Sequence, residues 1–259
     1  MINTIMKNKT LFIDIDGTLY RGSTRIESAI TFINHIQELH LPFYFLTNNA
    51  MRTHEQNKQK LLDMGYSNIL NEQFFTSAMA ATRYAYHHHL GKKAFCLGEA
   101  GLQEAIVEQG FIIDENDCDV VFVGLDSFAT YQRYSSAYRA IMNGAAFIAT
   151  NPDRRIPTGN TSQIGNGAIV KMLEYASEVE CLMIGKPHTP MMEEMLSYAN
   201  VKKEDCIIIG DNLETDIAFG VNHGIETIFV TTGVHTKEDQ ERFGIYATHC
   251  VRELTDLIQ

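Results

Sequence analysis

A chain of 259 residues, of which 45% are hydrophobic, has enough apolar material for a sizeable core, either as one large domain or as a core with a smaller second domain. Its formal net charge of -11 excludes a surface built to grip a nucleic-acid polymer, which needs clustered Lys and Arg to displace counterions, although a single nucleotide could still be a small substrate. No apolar run approaches the roughly 20 residues needed to span a bilayer, and the five scattered cysteines (Cys96, Cys118, Cys181, Cys206, Cys250) suggest neither a disulfide framework nor a Cys-x-x-Cys metal site, so a reducing cytoplasm is expected.

Short apolar runs that end in polar or glycine residues and give way to helical patterns predict a parallel sheet with crossover helices. Residues 10–16 predict a buried strand with carboxylates at its carboxyl end, followed by a helix from Glu27 to Leu39 with apolar side chains at helical spacing. A second strand is expected over residues 41–49, then a polar helix from Thr53 to Met64 stopped by Gly65. Residues 74–89 begin as a strand and continue as a helix. Strands over 92–98, 119–125 and 145–153, separated by helices from Ala100 to Gln109 and from Tyr131 to Met142, form a compact α/β unit in the middle of the chain. A helix from Gly167 to Ala176 and three strands over 180–187, 205–212 and 226–233 follow. Boundaries are placed near residues 80 and 181.

Chemistry gathers at four strand ends, where open α/β sheets bind ligands. Asp14 and Asp16 are two apart, and Gly17 after them lets the backbone turn. A calcium loop would need glycine and an acidic residue where Leu19 and Arg25 stand. Carboxylates following so apolar a run need a metal or hydrogen bonds to offset their burial. Thr47, Asn48 and Asn49 end the second strand and could either donate to a phosphate or cap a helix. Lys186 is held between Gly185 and Pro187, and residues 210–216 (Gly-Asp-Asn-Leu-Glu-Thr-Asp) follow three isoleucines and open a helical stretch that ends near Gly224.

In this order, Asp14-x-Asp16-Gly17-Thr18, the Thr47-Asn48 strand end, Lys186 and Gly210-Asp211-x-x-x-Thr215-Asp216 resemble the four signature motifs of the haloacid dehalogenase superfamily. The phrases Phe75-Thr76-Ser77-Ala78 and Ala149-Thr150-Asn151-Pro152-Asp153, and an α/β unit between the second and third motifs, look like its NagD-like branch. The resemblance implies an α/β fold: a Rossmann-like catalytic core over 1–80 and 182–259 and an inserted α/β cap over 81–181 that selects the substrate. It implies a phosphatase of small phosphomonoesters such as nucleoside monophosphates, sugar phosphates or p-nitrophenyl phosphate. Asp14 would be the nucleophile that becomes an aspartyl-phosphate and Asp16 the acid and base. Mg2+ would be held by Asp14, Asp211 and the backbone carbonyl of Asp16. Thr47 and Asn48 would donate to the phosphoryl oxygens, Lys186 would supply positive charge, Asn212 and Thr215 would assist in binding phosphate and substrate, and Asp216 would orient groups near the metal or cap the adjacent helix. Relatives in this branch often pair through their caps, so a homodimer is compatible with it.

Other classes fit less well. A receiver-type signalling module that accepts phosphate on aspartate is about half this length and separates that aspartate from its metal-binding pair. A dehalogenase has no need of the acid at Asp16, an ion pump needs membrane helices, and a catalytically dead binding protein would not keep every expected catalytic residue. His87, His88 and His89 read as a solvated helix end, because consecutive helical side chains point in different directions. Arg154 and Arg155 fit a solvated cap loop, with recognition of an anionic substrate group as the alternative reading. The tract from Gly159 to Gly167 lacks the ending of a phosphate-cradling loop and is expected to shape the cap.

Overall fold

A computed structural model describes residues 5–158 and 161–258. Gly159 and Asn160, which open the tract just mentioned, lie outside the described residues. In chain order come β1 (Thr10–Asp14), the antiparallel pair β2 (Tyr20–Arg21) and β3 (Thr24–Arg25), α1 (Glu27–Glu38), β4 (Phe43–Thr47) and α2 (His54–Asp63). They continue with β5 (Phe74–Thr76), α3 (Ser77–His87), β6 (Lys93–Leu97), α4 (Ala100–Glu108), β7 (Ile112–Ile113), β8 (Val120–Val123) and α5 (Tyr131–Met142). Then follow β9 (Ala146–Ala149), β10 (Arg155–Thr158), β11 (Thr161–Ile164), α6 (Asn166–Ser177), β12 (Leu182–Met183), α7 (Thr189–Ala199) and β13 (Cys206–Gly210). A π-helical turn, Leu213–Ile217, runs into α8 (Ala218–His223), and β14 (Glu226–Val230), α9 (Asp239–Phe243), β15 (His249–Val251) and a 3-10 turn, Leu254–Leu257, follow.

These elements form two compact units. The first takes the chain up to Thr47, Glu55–Phe75 and the chain from Met195; the second takes Asn48–His54 and Thr76–Glu194. In the first unit the sheet order is β15-β14-β13-β1-β4-β5, parallel at each pairing from β15 to β4. β1 and β13 lie inside this sheet and every residue of both is buried, which explains why they read as unbroken apolar runs rather than as alternation. Leu11, Ile13, Ile207 and Ile209 point to one face, where they pack with Phe32, Ile33 and Ile36 of α1 and with Phe45 and Phe74. Phe12 lies in the opposite pleat and stacks on Tyr44 at 5.4 Å between ring centroids.

The second unit has its own five-stranded sheet, β12-β9-β8-β6-β7, parallel throughout. Phe95, Val121, Val123 and Phe147 of this sheet pack against Ala137 and Ile141 of α5 and Val170 and Leu173 of α6, a core separate from that of the first unit. β10 and β11 form an antiparallel pair, so Arg155 sits in a strand rather than in the expected loop. The strand read at 180–187 also differs from expectation. With the boundary at 181 it belongs to the core, whereas β12 pairs with β9, Leu182 opposite Ile148, in the second sheet. Its two half-buried residues carry no periodicity that could say which sheet they join. The three histidines end α3 as expected: His87 Nδ1 lies 2.9 Å from Glu194 Oε1, while His88 Nδ1 lies 2.9 Å from the Tyr84 carbonyl. All five cysteines are free, and burial pushes the thiols of Cys96, Cys181 and Cys206 up to about 12, so they stay protonated at neutral pH. No helix among the described residues is long and apolar enough to cross a membrane.

Phe45 is fully buried between the rings of Phe43, at 5.4 Å, and Phe74, at 5.1 Å. Phe45→Ala is therefore expected to lower unfolding stability by about 3–5 kcal/mol in urea titration. A loss under about 1 kcal/mol would show that these rings do not form a close-packed core.

Candidate active site

The register Ile13 to Ile209 places the carboxyl ends of β1 and β13 side by side. Asp14 is the last residue of β1, and Asp211 follows the last residue of β13. Asp216 comes from the π-helical turn beyond it, a type of irregularity that recurs at functional sites. All three carboxylates are buried, and each offers an oxygen within 4.8 Å of the others.

Asp211 is held by two hydrogen bonds and two close glycines. Its Oδ2 accepts the Val234 N–H at 2.7 Å and its Oδ1 the Thr18 hydroxyl at 3.3 Å. Gly17 and Gly233 close over the same carboxylate: a Cβ would lie 2.3 Å from its Oδ2 at Gly17 and 1.7 Å at Gly233. Gly17 also has φ +99°, and its carbonyl accepts the Thr232 hydroxyl at 3.3 Å. Asp216 Oδ2 accepts the Asn212 N–H at 3.1 Å, while Asn212 Oδ1 caps the π-helical turn by accepting the Glu214 N–H at 3.0 Å. The Leu213 N–H donates to His235 Nδ1 at 3.1 Å, which leaves the neutral ring's proton on Nε2. Thr215 is half-buried in the same turn.

Two or three negative charges this close repel one another by about 4 kcal/mol per pair at 4 Å and an effective dielectric of 20. Buried charges of one sign call for a counter-charge. An all-carboxylate set offers hard oxygen donors suited to Mg2+, Ca2+ or Mn2+ rather than to a soft metal, so the residues present fit the divalent cation expected from the sequence. The side chain of Asp16 does not join this group. β1 stops at Asp14, the Gly17 N–H turns back to the Tyr20 carbonyl at 2.8 Å, and Asp16 is left exposed. The two aspartates thus occupy opposite environments, one buried and one in water.

Thr47, buried, ends β4 beside β1, with Leu46 opposite Asp14. The next residue, Asn48, belongs to the second unit, as does Lys186. There Asn48 Oδ1 accepts the Lys186 N–H at 2.8 Å, and Asn48 Nδ2 donates to the Lys186 carbonyl at 3.1 Å and to Asp153 Oδ1 at 3.3 Å. The Asn48 carbonyl accepts the Ser77 hydroxyl at 2.6 Å and Asn151 Nδ2 at 2.8 Å. Lys186 is 1% exposed. A second grouping, His54 with Glu104 and Glu108, has a structural account: Glu104 Oε2 accepts the His54 N–H at 2.8 Å where α2 begins, and His54 Nε2 lies 3.0 Å from Met79 Sδ.

The structure therefore gathers Asp14, Asp211 and Asp216 in the first unit, and Asn48 with Lys186 in the second. The sequence reading did not anticipate Gly233 and Val234 around Asp211, or Asp153 beside Asn48. The only sequence signal for the first pair was a strand that ends in Thr-Thr-Gly, and for the second the polar Asn-Pro-Asp turn.

A family described as "Haloacid dehalogenase-like hydrolase" matches residues 11–112, and one described as "HAD-hydrolase-like" matches residues 183–257. The acid sugar phosphatase of Staphylococcus saprophyticus is 36% identical over 256 residues, covering 98% of both chains. The 5'-nucleotidase YutF of Bacillus subtilis is 35% identical over 254 residues, covering 96% of this chain and 97% of its own. Among solved structures, a thermostable NPPase from Geobacillus stearothermophilus superposes with a TM-score of 0.88 at 38% identity, covering 96% of this chain and 97% of its own. NagD from E. coli K-12 does so with 0.88 at 30% identity, covering 96% and 97%. With near-complete coverage on both sides, and with Asp14, Asp211 and Asp216 of its signature motifs buried together, the chain belongs to the haloacid dehalogenase-like hydrolases as a NagD-like phosphatase of phosphomonoesters.

Proposed function

We propose that this phosphatase acts on a small soluble sugar phosphate or nucleoside monophosphate in the cytoplasm, with p-nitrophenyl phosphate as a laboratory substrate, through an aspartyl-phosphate on Asp14 and with Mg2+ as cofactor. The single observation that supports it most is the buried grouping of Asp14 with Asp211 and Asp216 at the carboxyl ends of β1 and β13. The names of relatives support these substrate classes: a sugar phosphatase, a 5'-nucleotidase and a p-nitrophenyl phosphatase are all similar to this chain over nearly its full length.

In this reading an Asp14 carboxylate oxygen attacks phosphorus in line, the ester P–O bond breaks, and Asp16 gives its proton to the departing alkoxide. Water then attacks the phosphorus of the aspartyl-phosphate and passes a proton to Asp16, releasing inorganic phosphate and restoring Asp14. The exposure of Asp16 supports this role, since it has to exchange protons with substrate and water. Mg2+, held by Asp14, Asp211 and the Asp16 carbonyl, would supply the positive charge that lets a carboxylate approach a phosphate dianion. Asp216 orients this group, and Asn212 and Thr215 shape the turn that carries it. Thr47, Asn48 and Lys186 receive the phosphoryl group, Lys186 by charge. The catalytic groups are assigned to 1–80 and 182–259 and the choice of the ester's organic part to 81–181.

Phosphate release from a panel of sugar phosphates, nucleoside monophosphates and p-nitrophenyl phosphate should require Mg2+, stop on chelation and fall to background in Asp14→Asn. Release that persists in that variant would remove Asp14 as nucleophile. Asp16→Asn is expected to slow alkyl phosphates by about 10²–10⁴-fold and p-nitrophenyl phosphate far less, because nitrophenolate leaves without a proton; equal losses on both would remove Asp16 as the acid. In Gly233→Ala the new methyl must displace the Asp211 carboxylate, so kcat should drop by about 10²-fold. Unaltered kinetics in that variant would show that the placement of Asp211 is not critical.

A further inference from the structure

We propose that Asp153 is a positioning residue for phosphoryl transfer, acting through the side-chain amide of Asn48 on Lys186; the proposal rests on the role given to Lys186 above. A primary amide has two N–H donors and one oxygen. Both donors of Asn48 are spent on the protein, one on Asp153 Oδ1 at 3.3 Å and one on the Lys186 carbonyl at 3.1 Å, and its oxygen takes the Lys186 N–H at 2.8 Å. The amide thus grips both the N–H and the C=O of one residue, and what Asn48 has left to offer a phosphoryl oxygen is its backbone N–H.

Asp153 fixes which way this amide faces. An ionised carboxylate only accepts hydrogen bonds, so it requires the NH2 of Asn48 on its side, as the Lys186 carbonyl does, while the Lys186 N–H requires the oxygen. A flipped amide would set an oxygen against two acceptors. The same turn holds Asn48 a second way: Asn151 donates to the Asn48 carbonyl at 2.8 Å and accepts the Asp153 N–H at 3.2 Å. Gly185 makes the approach possible, because a Cβ there would lie 2.8 Å from Asn48 Oδ1 and 2.4 Å from the Thr150 carbonyl. The Lys186 side chain is buried, so the orientation of its peptide governs where its ammonium ends, and a displacement of about 1 Å at a charged group can cost about 10²-fold in rate.

The test is a set of double-mutant cycles in steady-state hydrolysis of p-nitrophenyl phosphate with saturating Mg2+. Asp153→Ala is expected to lower kcat by about tenfold or more in the Lys186 protein but by less than about twofold in Lys186→Met, because its effect passes through the lysine. Asp153→Asn, which can turn its own oxygen toward Asn48, is expected to keep kcat within about threefold of wild type. Asn48→Asp, which sets an oxygen against Asp153 and the Lys186 carbonyl, should lose most, and it carries the same cycle if Asp153→Ala does not fold. Full multiplication of the losses in Lys186→Met, or a loss in Asp153→Asn as large as in Asp153→Ala, overturns the proposal. If Lys186→Met alone is as active as wild type, the role of Lys186 has failed, and that result is visible before any cycle is closed.

Discussion

Everything about the first unit's site follows from placing carboxylates at the ends of two adjacent strands whose middles, Leu11 to Ile13 and Ile207 to Ile209, are wholly apolar and buried. Parallel pairing puts the carboxyl ends of β1 and β13 on the same edge of the sheet, so Asp14 and Asp211 become neighbours because their strands are. Their mutual repulsion opposes folding of this edge, and the offset has to come from hydrogen bonds and a cation. The protein supplies the first part around Asp211: a peptide N–H from Val234, a hydroxyl from Thr18, and two glycines that leave room for nothing larger. A cation that binds only the folded arrangement then adds stability in proportion to the logarithm of its concentration over its dissociation constant.

The second unit handles the opposite charge by comparable means. Lys186 is almost wholly buried, and its backbone is fixed by one amide rather than by a loop free to move. Consecutive residues are divided between the two arrangements: Thr47 closes a strand of one sheet and Asn48 joins the network around Lys186. Preorganised donors of this kind cost no reorganisation when charge shifts during reaction, which is the condition under which electrostatic stabilisation is most effective.

How much of this could be read in the sequence depended on burial. β1, β4, β6, β8, β9, β13 and β14 were legible because they are mostly buried, and such strands appear as apolar runs with abrupt ends. β3, β7 and β11 have exposed residues only, and β2–β3 and β10–β11 are short local pairs without alternation, so no hydrophobic pattern announced them. Asp14 and Asp211 were legible because a carboxylate at the end of a buried apolar strand is costly unless used, and Asp216 because it completes the motif that Gly210 and Asp211 open. Their supports were not. Val234 and Gly233 lie more than 20 positions from Asp211, and what they contribute is a backbone N–H and the absence of a side chain, neither of which residue type reveals. Asn48 was legible as a polar group at a strand end, but sequence alone could not distinguish an amide aimed at a ligand from one satisfied by Lys186 and Asp153.

That distinction bears on how the reaction responds to its surroundings. Asp211 is held by a hydroxyl and a peptide N–H, neither of which gains or loses a proton in the working range of an enzyme, whereas the amide that holds the Lys186 backbone is itself bonded to the carboxylate of Asp153. The position of the Asp211 charge should therefore stay fixed while the solvent changes. In the proposed reaction proton traffic is left to Asp16, the one signature aspartate that the fold leaves in water, on a turn whose tightness comes from Gly17. The fold thus keeps apart two demands that conflict in a single residue. A buried carboxylate such as Asp14 can be aimed but is poorly placed to trade protons, and an exposed one such as Asp16 can trade them but is held less firmly.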